Sequence, residues 1–248
     1  MTAPVLLESG GGDLAELARL LTGLDAQNMA VPLRALAIVT VLSVVPSAVL
    51  LATSFPRILI VLSFLRRALG TQDLPPNQVV AGLSLLLTVL VMSPVFKRVY
   101  VEAYVPYEKG EVASAEEALS RAARPVKEFL LAHTFEEDLR LFAEISRDPG
   151  GEGAPLPSAG PSPEEESFLV VLPAFVVSEL KVAFQIGFLL FLPFLVIDLA
   201  VSAVLISMGM FMLPPVLVSL PLKVLVFVLA DGWNLVVEQL VAGFRAAG

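Results

Sequence analysis

Long apolar runs separated by short polar segments are the dominant pattern of this chain. The first run covers residues 33–65 and has Pro56 and Arg57 inside it. As a single helix this run would be about 50 Å long, well beyond the ~30 Å hydrocarbon core of a bilayer. We therefore predict two helices, one that ends near Ala52 and a shorter one over residues 54–69.

The connection to the next apolar run is basic. It carries Arg66 and Arg67, and Pro75 excludes a helix just beyond it, so the next helix is predicted over residues 78–95. Basic residues beside membrane-spanning helices favour the cytoplasmic side. This connection is therefore predicted to be cytoplasmic, and the polar insert that follows the helix is predicted to face outward.

The last apolar region, residues 168–241, predicts two long helices. They are expected to meet near Pro193, and Pro214 with Pro215 is expected to break the second one. Long, interrupted helices that carry charged residues suit packing against sister subunits better than contact with lipid alone.

Short polar segments divide the chain into five predicted parts. These are a leader with a short amphipathic helix (1–31), a first apolar helical hairpin (32–96), a small helical domain (97–148), a flexible Pro/Gly linker (149–166) and a second apolar hairpin with a Met-rich loop (167–248). Capping boxes at Ser114 with Glu117 and at Thr134 with Glu137 predict the two helices of the small domain.

Composition favours a membrane or assembly protein and excludes several classes of function. Hydrophobic residues make up 56% of the 248, above the ~45–50% of ordinary soluble domains. The net charge of −8 gives no basis for nucleic-acid binding, and residues 97–167 hold 15 Asp or Glu against 8 Lys or Arg. With no cysteine, one histidine and no phosphate-binding or nucleophile motif, the sequence predicts no metal, no cofactor and no enzyme.

Five of the charged residues inside the apolar runs are candidates for pairing between helices or between subunits. Glu179 and Lys181 are two positions apart, so on a helix they point about 200° apart and cannot pair with each other. Each needs a partner on another helix, on another subunit or in solvent, and the apolar flanks favour the first two. Asp198 and Lys223 have opposite charges in adjacent runs, which leaves open whether they pair across a hairpin. Arg57 is the remaining isolated charge and either joins this group or extends to an interface.

Three methionines crowd the segment SMGMFMLPP. On an unbroken helix Met208 and Met212 share a face and Met210 points away, so the three converge only where the helix breaks. Gly209 and the following proline pair allow that break. A converging set of deformable methionine side chains would seal an apolar opening, whereas spacing alone favours ordinary core filling.

Several long motifs of the chain resemble a single protein family. They are SFPRILIVLSFLRRALGTQDLPPNQ, VMSPVFKRVYVEAY, EEDLRLFAEIS, PAFVVSELKVAFQIGF, FLPFLVIDLAVSAVLISMGMFMLPP and LPLKVLVFVLADGW. Together they cover nearly all of residues 33–244 and resemble the FliP/SctR family of type III secretion export-gate proteins. The EEDLRLF segment and the PPNQ turn favour the flagellar FliP branch over SctR, its injectisome counterpart.

This resemblance implies an all-α, membrane-associated fold. Long kinked helical hairpins would form one wedge of an oligomeric pore, and the insert would be a small extracytoplasmic helical domain. The implied assembly is a homo-oligomer with FliQ and FliR, and with FlhB, in the bacterial inner membrane and flagellar basal body. Unfolded flagellar proteins would pass through its channel, and the pore would lie largely above the plane of the inner membrane. Lipid would be a further partner, and the 97–166 insert would face the periplasm.

The same resemblance implies roles for particular residues. The gasket that closes the channel corresponds to Met208, Gly209, Met210, Phe211 and Met212. The charged motif used in subunit packing corresponds to Glu179 and Lys181. An injectisome export gate is one alternative. A secondary transporter that uses Glu179, Lys181 and Asp198 as a relay is another, which the short chain and the lack of an inverted repeat disfavour.

Overall fold

The first apolar run is broken in the structure, a computed structural model that describes residues 31–71, 74–112, 114–146 and 167–245. Helix α1 covers Val31–Leu51 and helix α2 covers Phe55–Leu69. Pro56 lies in the first turn of α2, where its missing N–H removes no intrahelical hydrogen bond. Gly70 ends α2 in the left-handed conformation, with φ of 76°, and its N–H donates to the Arg67 carbonyl at 3.0 Å. The break and the end of α2 lie where the sequence predicts them.

The middle of the chain forms one long helical stretch followed by two shorter helices. Helix α3 covers Asn77–Val99, passes into a π-helical segment over Tyr100–Tyr104, and ends in the short α4, Val105–Glu108. Helix α5 then covers Ala115–Ala132 and α6 covers Glu136–Ile145. The predicted capping of α5 is confirmed, because the hydroxyl at position 114 accepts the backbone N–H of residue 117 at 3.1 Å.

The capping box predicted for α6 is wrong. The helix begins one residue later than Thr134 would require, with Phe135 as the N-cap residue and no cap from its own side chain. Thr134 instead donates its hydroxyl to the Leu130 carbonyl of the preceding helix, at 2.7 Å. A threonine hydroxyl can bond backward to a helix end as well as forward to a helix start, and the spacing alone does not separate the two.

The last region contains three helices rather than a pair divided at Pro193. Helix α7 runs unbroken from Phe168 to Ser207, α8 covers Pro215–Leu229 and α9 covers Gly232–Arg245. The helix break predicted at Pro193 is therefore wrong. Proline removes one backbone hydrogen bond, but a long apolar helix tolerates that loss because its other backbone groups remain paired within the helix. Helix α8 starts at Pro215, with Pro214 as its N-cap residue.

The described residues form nine α-helices and no β-strand, so the predicted all-α class is confirmed. By length and composition, two stretches can cross a membrane: Asn77–Glu108 with 32 residues and Phe168–Ser207 with 40. The broken pairs Leu42–Leu51 with Phe55–Leu69 and Pro215–Leu229 with Gly232–Arg245 bring the number to four if each is one span. Helix α7 is about 60 Å long, twice the ~30 Å hydrocarbon core.

Packing divides the described helices into two units. The first unit consists of the chain up to Thr53 together with Met92–Ser178. The second consists of Ser54–Val91 together with Glu179–Gly248. The core of the first unit is a buried cluster of Leu130 from α5 with Val171 and Phe175 from the start of α7. The leader expected over residues 1–31 and the linker expected over 149–166 lie outside the described residues, except for residue 31.

The core of the second unit depends on a close approach between α2 and α7. The ring of Phe64 packs edge-on against Phe184 and Phe191, with centroids 5.3 and 6.3 Å apart. Gly187 makes room for this ring, because a Cβ at that position would lie 2.6 Å from the Phe64 Cγ atom. The buried face of α2 adds Ile58, Val61, Leu62 and Leu65.

Candidate functional site

Residues 208–214, here called the methionine loop, connect α7 to α8. Gly209 adopts a left-handed conformation with φ of 76°. The Gly209 N–H donates to the Ile206 carbonyl and the Met210 N–H donates to the Leu205 carbonyl, each at 3.0 Å. These two bonds are those of a Schellman motif, in which a left-handed glycine reverses the chain and satisfies the last carbonyls of the helix. The glycine therefore turns the methionines out of the axis of α7.

The side chains of the methionine loop are exposed. Met208 is 66% exposed, Phe211 76% and Met212 98%, while Met210 is partly covered at 40%. The loop curls around an open concavity of about 370 Å³ that its own residues 209–213 line. None of these three methionines fills the core of the described chain, so ordinary core filling does not account for them.

Asp198 and Lys223 form an ion pair within the second unit. The Lys223 Nζ lies 2.6 Å from Asp198 Oδ2 and donates a second hydrogen bond to the Ala68 carbonyl at 3.1 Å. Ser219 donates its hydroxyl to the other carboxylate oxygen of Asp198. Because Ala68 is in the last turn of α2, its carbonyl has no intrahelical partner and favours a cation. One ammonium group thus joins α2, α7 and α8.

Arg57 and Glu179 form a second, more deeply buried pair. Two parallel hydrogen bonds connect the guanidinium to the carboxylate, one of them from Arg57 Nε to Glu179 Oε2 at 2.7 Å. Arg57 is only 5% exposed and Glu179 is fully buried. The ring of Phe244 from α9 covers the guanidinium, with its centroid 3.9 Å from Arg57 Cζ. This cluster therefore connects α2, α7 and α9.

The structure brings together four of the five charges singled out in the sequence. Asp198 pairs with Lys223, and Glu179 pairs with Arg57 rather than with Lys181. Lys181 is exposed on α7, two residues beyond Glu179. Both pairs join different helices within the chain, and inter-subunit contacts of any of these residues remain a prediction.

Sequence reasoning missed a polar bridge in the first unit. The Ser178 hydroxyl accepts the Phe135 N–H at 3.0 Å and donates to Asp138 Oδ2 at 2.7 Å. Asp138 is only 2% exposed, although it follows two other acidic residues in the first turn of α6. Phe135 is the N-cap of α6 and Asp138 is its N3 residue, so a serine from α7 completes the hydrogen bonding that a capping box would supply locally. The sequence signal for this bridge was a serine next to Glu179 inside an apolar run.

Among the described residues, no three His, Cys, Asp or Glu side chains gather into a possible metal site. The candidate site consists of the exposed methionine loop, the buried Arg57–Glu179 pair and the partly buried Asp198–Lys223 pair.

Comparison with known proteins identifies the family. The sequence profile described as the FliP family matches residues 38–240. The chain belongs to the FliP family. It is 50% identical to the flagellar biosynthetic protein FliP of Pectobacterium carotovorum over 218 residues, which cover 88% of this chain and 81% of the relative. It is also 44% identical to FliP of Bacillus subtilis over 92% of this chain and 99% of the relative, and 43% identical to FliP of Aquifex aeolicus over 97% and 98%.

The match to the FliP family includes nearly every residue of the candidate site. The methionine loop, both ion pairs and the Ser178–Asp138 bridge fall within the matched residues 38–240. Phe244, which covers the Arg57 guanidinium, lies just beyond them. The resemblance predicted from the motifs is confirmed, and the three FliP relatives named here all carry a flagellar description.

Proposed function

We propose that this chain is a pore-forming subunit of the flagellar type III protein export gate. Several copies assemble with FliQ and FliR, and with FlhB, around a channel through which unfolded flagellar proteins pass. The methionine loops of neighbouring copies meet at the channel axis and close it. The observation that carries this proposal is the exposure of Met208, Phe211 and Met212 on a helix-breaking loop.

Methionine suits a closure that must open and close repeatedly. Its side chain is unbranched and polarizable, so several copies can pack without a fixed geometry and can yield when a polypeptide enters. The loop begins at a Schellman turn and ends at a proline N-cap, so both of its ends are fixed while its side chains remain free. Glycine and proline therefore set the direction of the loop, and methionine supplies the seal.

Exposed apolar surface on the long helices supports assembly into an oligomer. Phe188 and Leu199 on α7 are 64% and 62% exposed, and Leu229 at the end of α8 is 77% exposed. A bilayer covers only about half of a 60 Å helix. The remaining apolar surface of α7 requires other protein subunits to cover it.

The proposed orientation follows from the distribution of charge. Arg66 and Arg67 lie in the last turn of α2, before the connection to α3. The positive-inside rule favours the cytoplasm for this connection. The acidic insert after α3 then faces the periplasm, and the protein lies in the bacterial inner membrane at the flagellar basal body.

The test of this proposal is a triple substitution of the loop, with Met208, Met210 and Met212 each changed to alanine. We expect cells that express this variant with the other gate subunits to leak small ions, because alanine leaves the opening unfilled. Leu141→Ala on α6 is the control, since it removes an exposed apolar side chain outside the loop and outside the α7 and α8 surface assigned to assembly. Flagellar assembly reports in parallel that both variants enter the apparatus. Unchanged ion leakage in assembled gates would refute the sealing role.

A further inference from the structure

The oxidisable sulfur of the described chain is concentrated in the methionine loop. The sequence has no cysteine, so methionine is its only sulfur-containing residue. Four methionines lie in the part of the chain that the structure describes. Met92 on α3 is buried, with 1% of its surface exposed, whereas Met208, Met210 and Met212 are all exposed. Among the described residues, an oxidant dissolved in water therefore meets the thioethers of the loop first, and no thiol of the chain competes with them.

The loop also gives a small oxidant room to approach. Residues 209–213 line an open concavity of about 370 Å³. A water molecule takes up ~30 Å³ of the liquid, and hydrogen peroxide is only slightly larger, so both enter a concavity of that size. In the proposed gate the loop closes a channel between two aqueous spaces. Its side chains therefore contact water from the channel on each side of the closure.

Oxidation reverses the property that suits the loop to a seal. A methionine thioether is apolar, whereas the oxygen of the sulfoxide is a polar hydrogen-bond acceptor. Residues 208–214 have the sequence MGMFMLP, and none of these side chains carries a hydrogen-bond donor. A sulfoxide therefore finds no side-chain donor in the loops of neighbouring copies and retains water as its partner. Because an apolar constriction closes by excluding water, hydrated sulfoxides keep it conducting.

We propose that Met208, Met210 and Met212 form an oxidation site, at which a peroxide converts the closed seal into a leaking one. A lone pair of the methionine Sδ attacks one oxygen of hydrogen peroxide, so that an S–O bond forms and the O–O bond breaks. The proton on the transferred oxygen passes to the departing oxygen, which leaves as water. Sulfur loses two electrons and the peroxide gains them, so no further reactant is needed. The inference rests on the sealing role given under the proposed function and adds the modification that abolishes it.

The first experiment locates the oxidation. The complete chain, purified with the subunits that accompany it, is exposed to dilute hydrogen peroxide for increasing times and then digested for mass spectrometry. We expect the three loop methionines to gain an oxygen several-fold faster than Met92, the buried reference within the same chain. In denaturant the four rates should become similar. Loop methionines that react no faster than Met92 in the native complex would overturn the inference.

The second experiment measures small-ion leakage of cells that express the gate, before and after a brief pulse of hydrogen peroxide. The pulse should raise leakage several-fold through the unsubstituted gate. A variant with all three loop methionines changed to leucine should not respond, because leucine has a similar volume and no sulfur. Glutamine at the same three positions, which places a polar amide where the sulfoxide would be, should leak without any oxidant. An equal response of the leucine variant, or a glutamine variant that supports flagellar assembly and does not leak, would refute the inference.

Two other outcomes separate this inference from the proposed function. The first is a gate that leaks when the loop methionines are changed to alanine but does not leak when they are oxidised to sulfoxides. That result would refute the oxidation site and leave the sealing role in place. The second is an assembled alanine variant that does not leak, which would refute the sealing role and the oxidation site with it.

Discussion

Removing one partner of the Arg57–Glu179 pair should destabilise the protein strongly, and removing both should not. Arg57→Leu leaves a fully buried carboxylate without a counter-ion, and Glu179→Leu leaves a guanidinium that is 5% exposed without its acceptor. Each single change should lower the free energy of unfolding by about 3–5 kcal/mol, since an uncompensated buried charge loses its pairing but not its desolvation. The double change to leucine should be near neutral, because both charges leave together.

The assay is thermal unfolding of the purified complex in lipid nanodiscs, with circular dichroism as the signal. Each single variant should lower the Tm by on the order of 10 °C, and the double variant should recover most of that loss. The matched control is Arg140→Leu, which breaks an ion pair with Glu136 on the exposed face of α6 and should change the Tm very little. Single variants no less stable than this control, or a double variant as unstable as both single losses combined, would refute the argument from burial.

Two further substitutions test packing and charge elsewhere. Gly187→Ala places a Cβ 2.6 Å from the Phe64 ring and should lower the free energy of unfolding by about 1–3 kcal/mol. Gly82→Ala is the control, because its Cβ meets nothing within 4 Å and the change should be neutral or stabilising. Equal Tm values for the two variants would contradict this. The hydrogen bond from Arg98 holds the pKa of Glu128 below its ordinary value of 4.5, with burial opposing it. Glu128→Gln should therefore lower the free energy of unfolding by up to about 1 kcal/mol at neutral pH. The difference from the unsubstituted protein should vanish as pH falls through the folded-state pKa of Glu128. A difference that persists in acid would exclude the ion pair as its cause.

Local chemistry was sufficient to predict several helix boundaries. The break after α1, the end of α2 at Gly70 and the cap of α5 at Ser114 all depend on residues within a few positions of each other. Proline, glycine and serine act on the backbone directly, so their effect can be predicted without knowing what the helix packs against. These predictions agree with the structure for that reason.

The features that the sequence could not predict depend on partners far along the chain. Whether Asp198 meets Lys223 requires the register between α7 and α8, which no local spacing supplies. Asp138 is buried although it follows two acidic residues at a helix start, and its hydrogen-bond partner, Ser178 on α7, lies 40 positions along the chain. Pro193 failed as a predicted break for a related reason, since the length and packing of α7 outweigh one lost backbone bond.

The contrast between the charges and the loop supports the proposal that the methionines pack within an assembly. The second unit holds two ion pairs within the chain, Arg57–Glu179 and Asp198–Lys223. These charged side chains therefore have partners without any contact to another subunit. The apolar side chain of Met212, 98% exposed, is the reverse case. Burying such surface yields about 25 cal/mol per Å², and the chain alone does not bury it. In the proposed gate, association of several copies would supply that burial, so the same contact would favour both formation of the pore and closure of its channel.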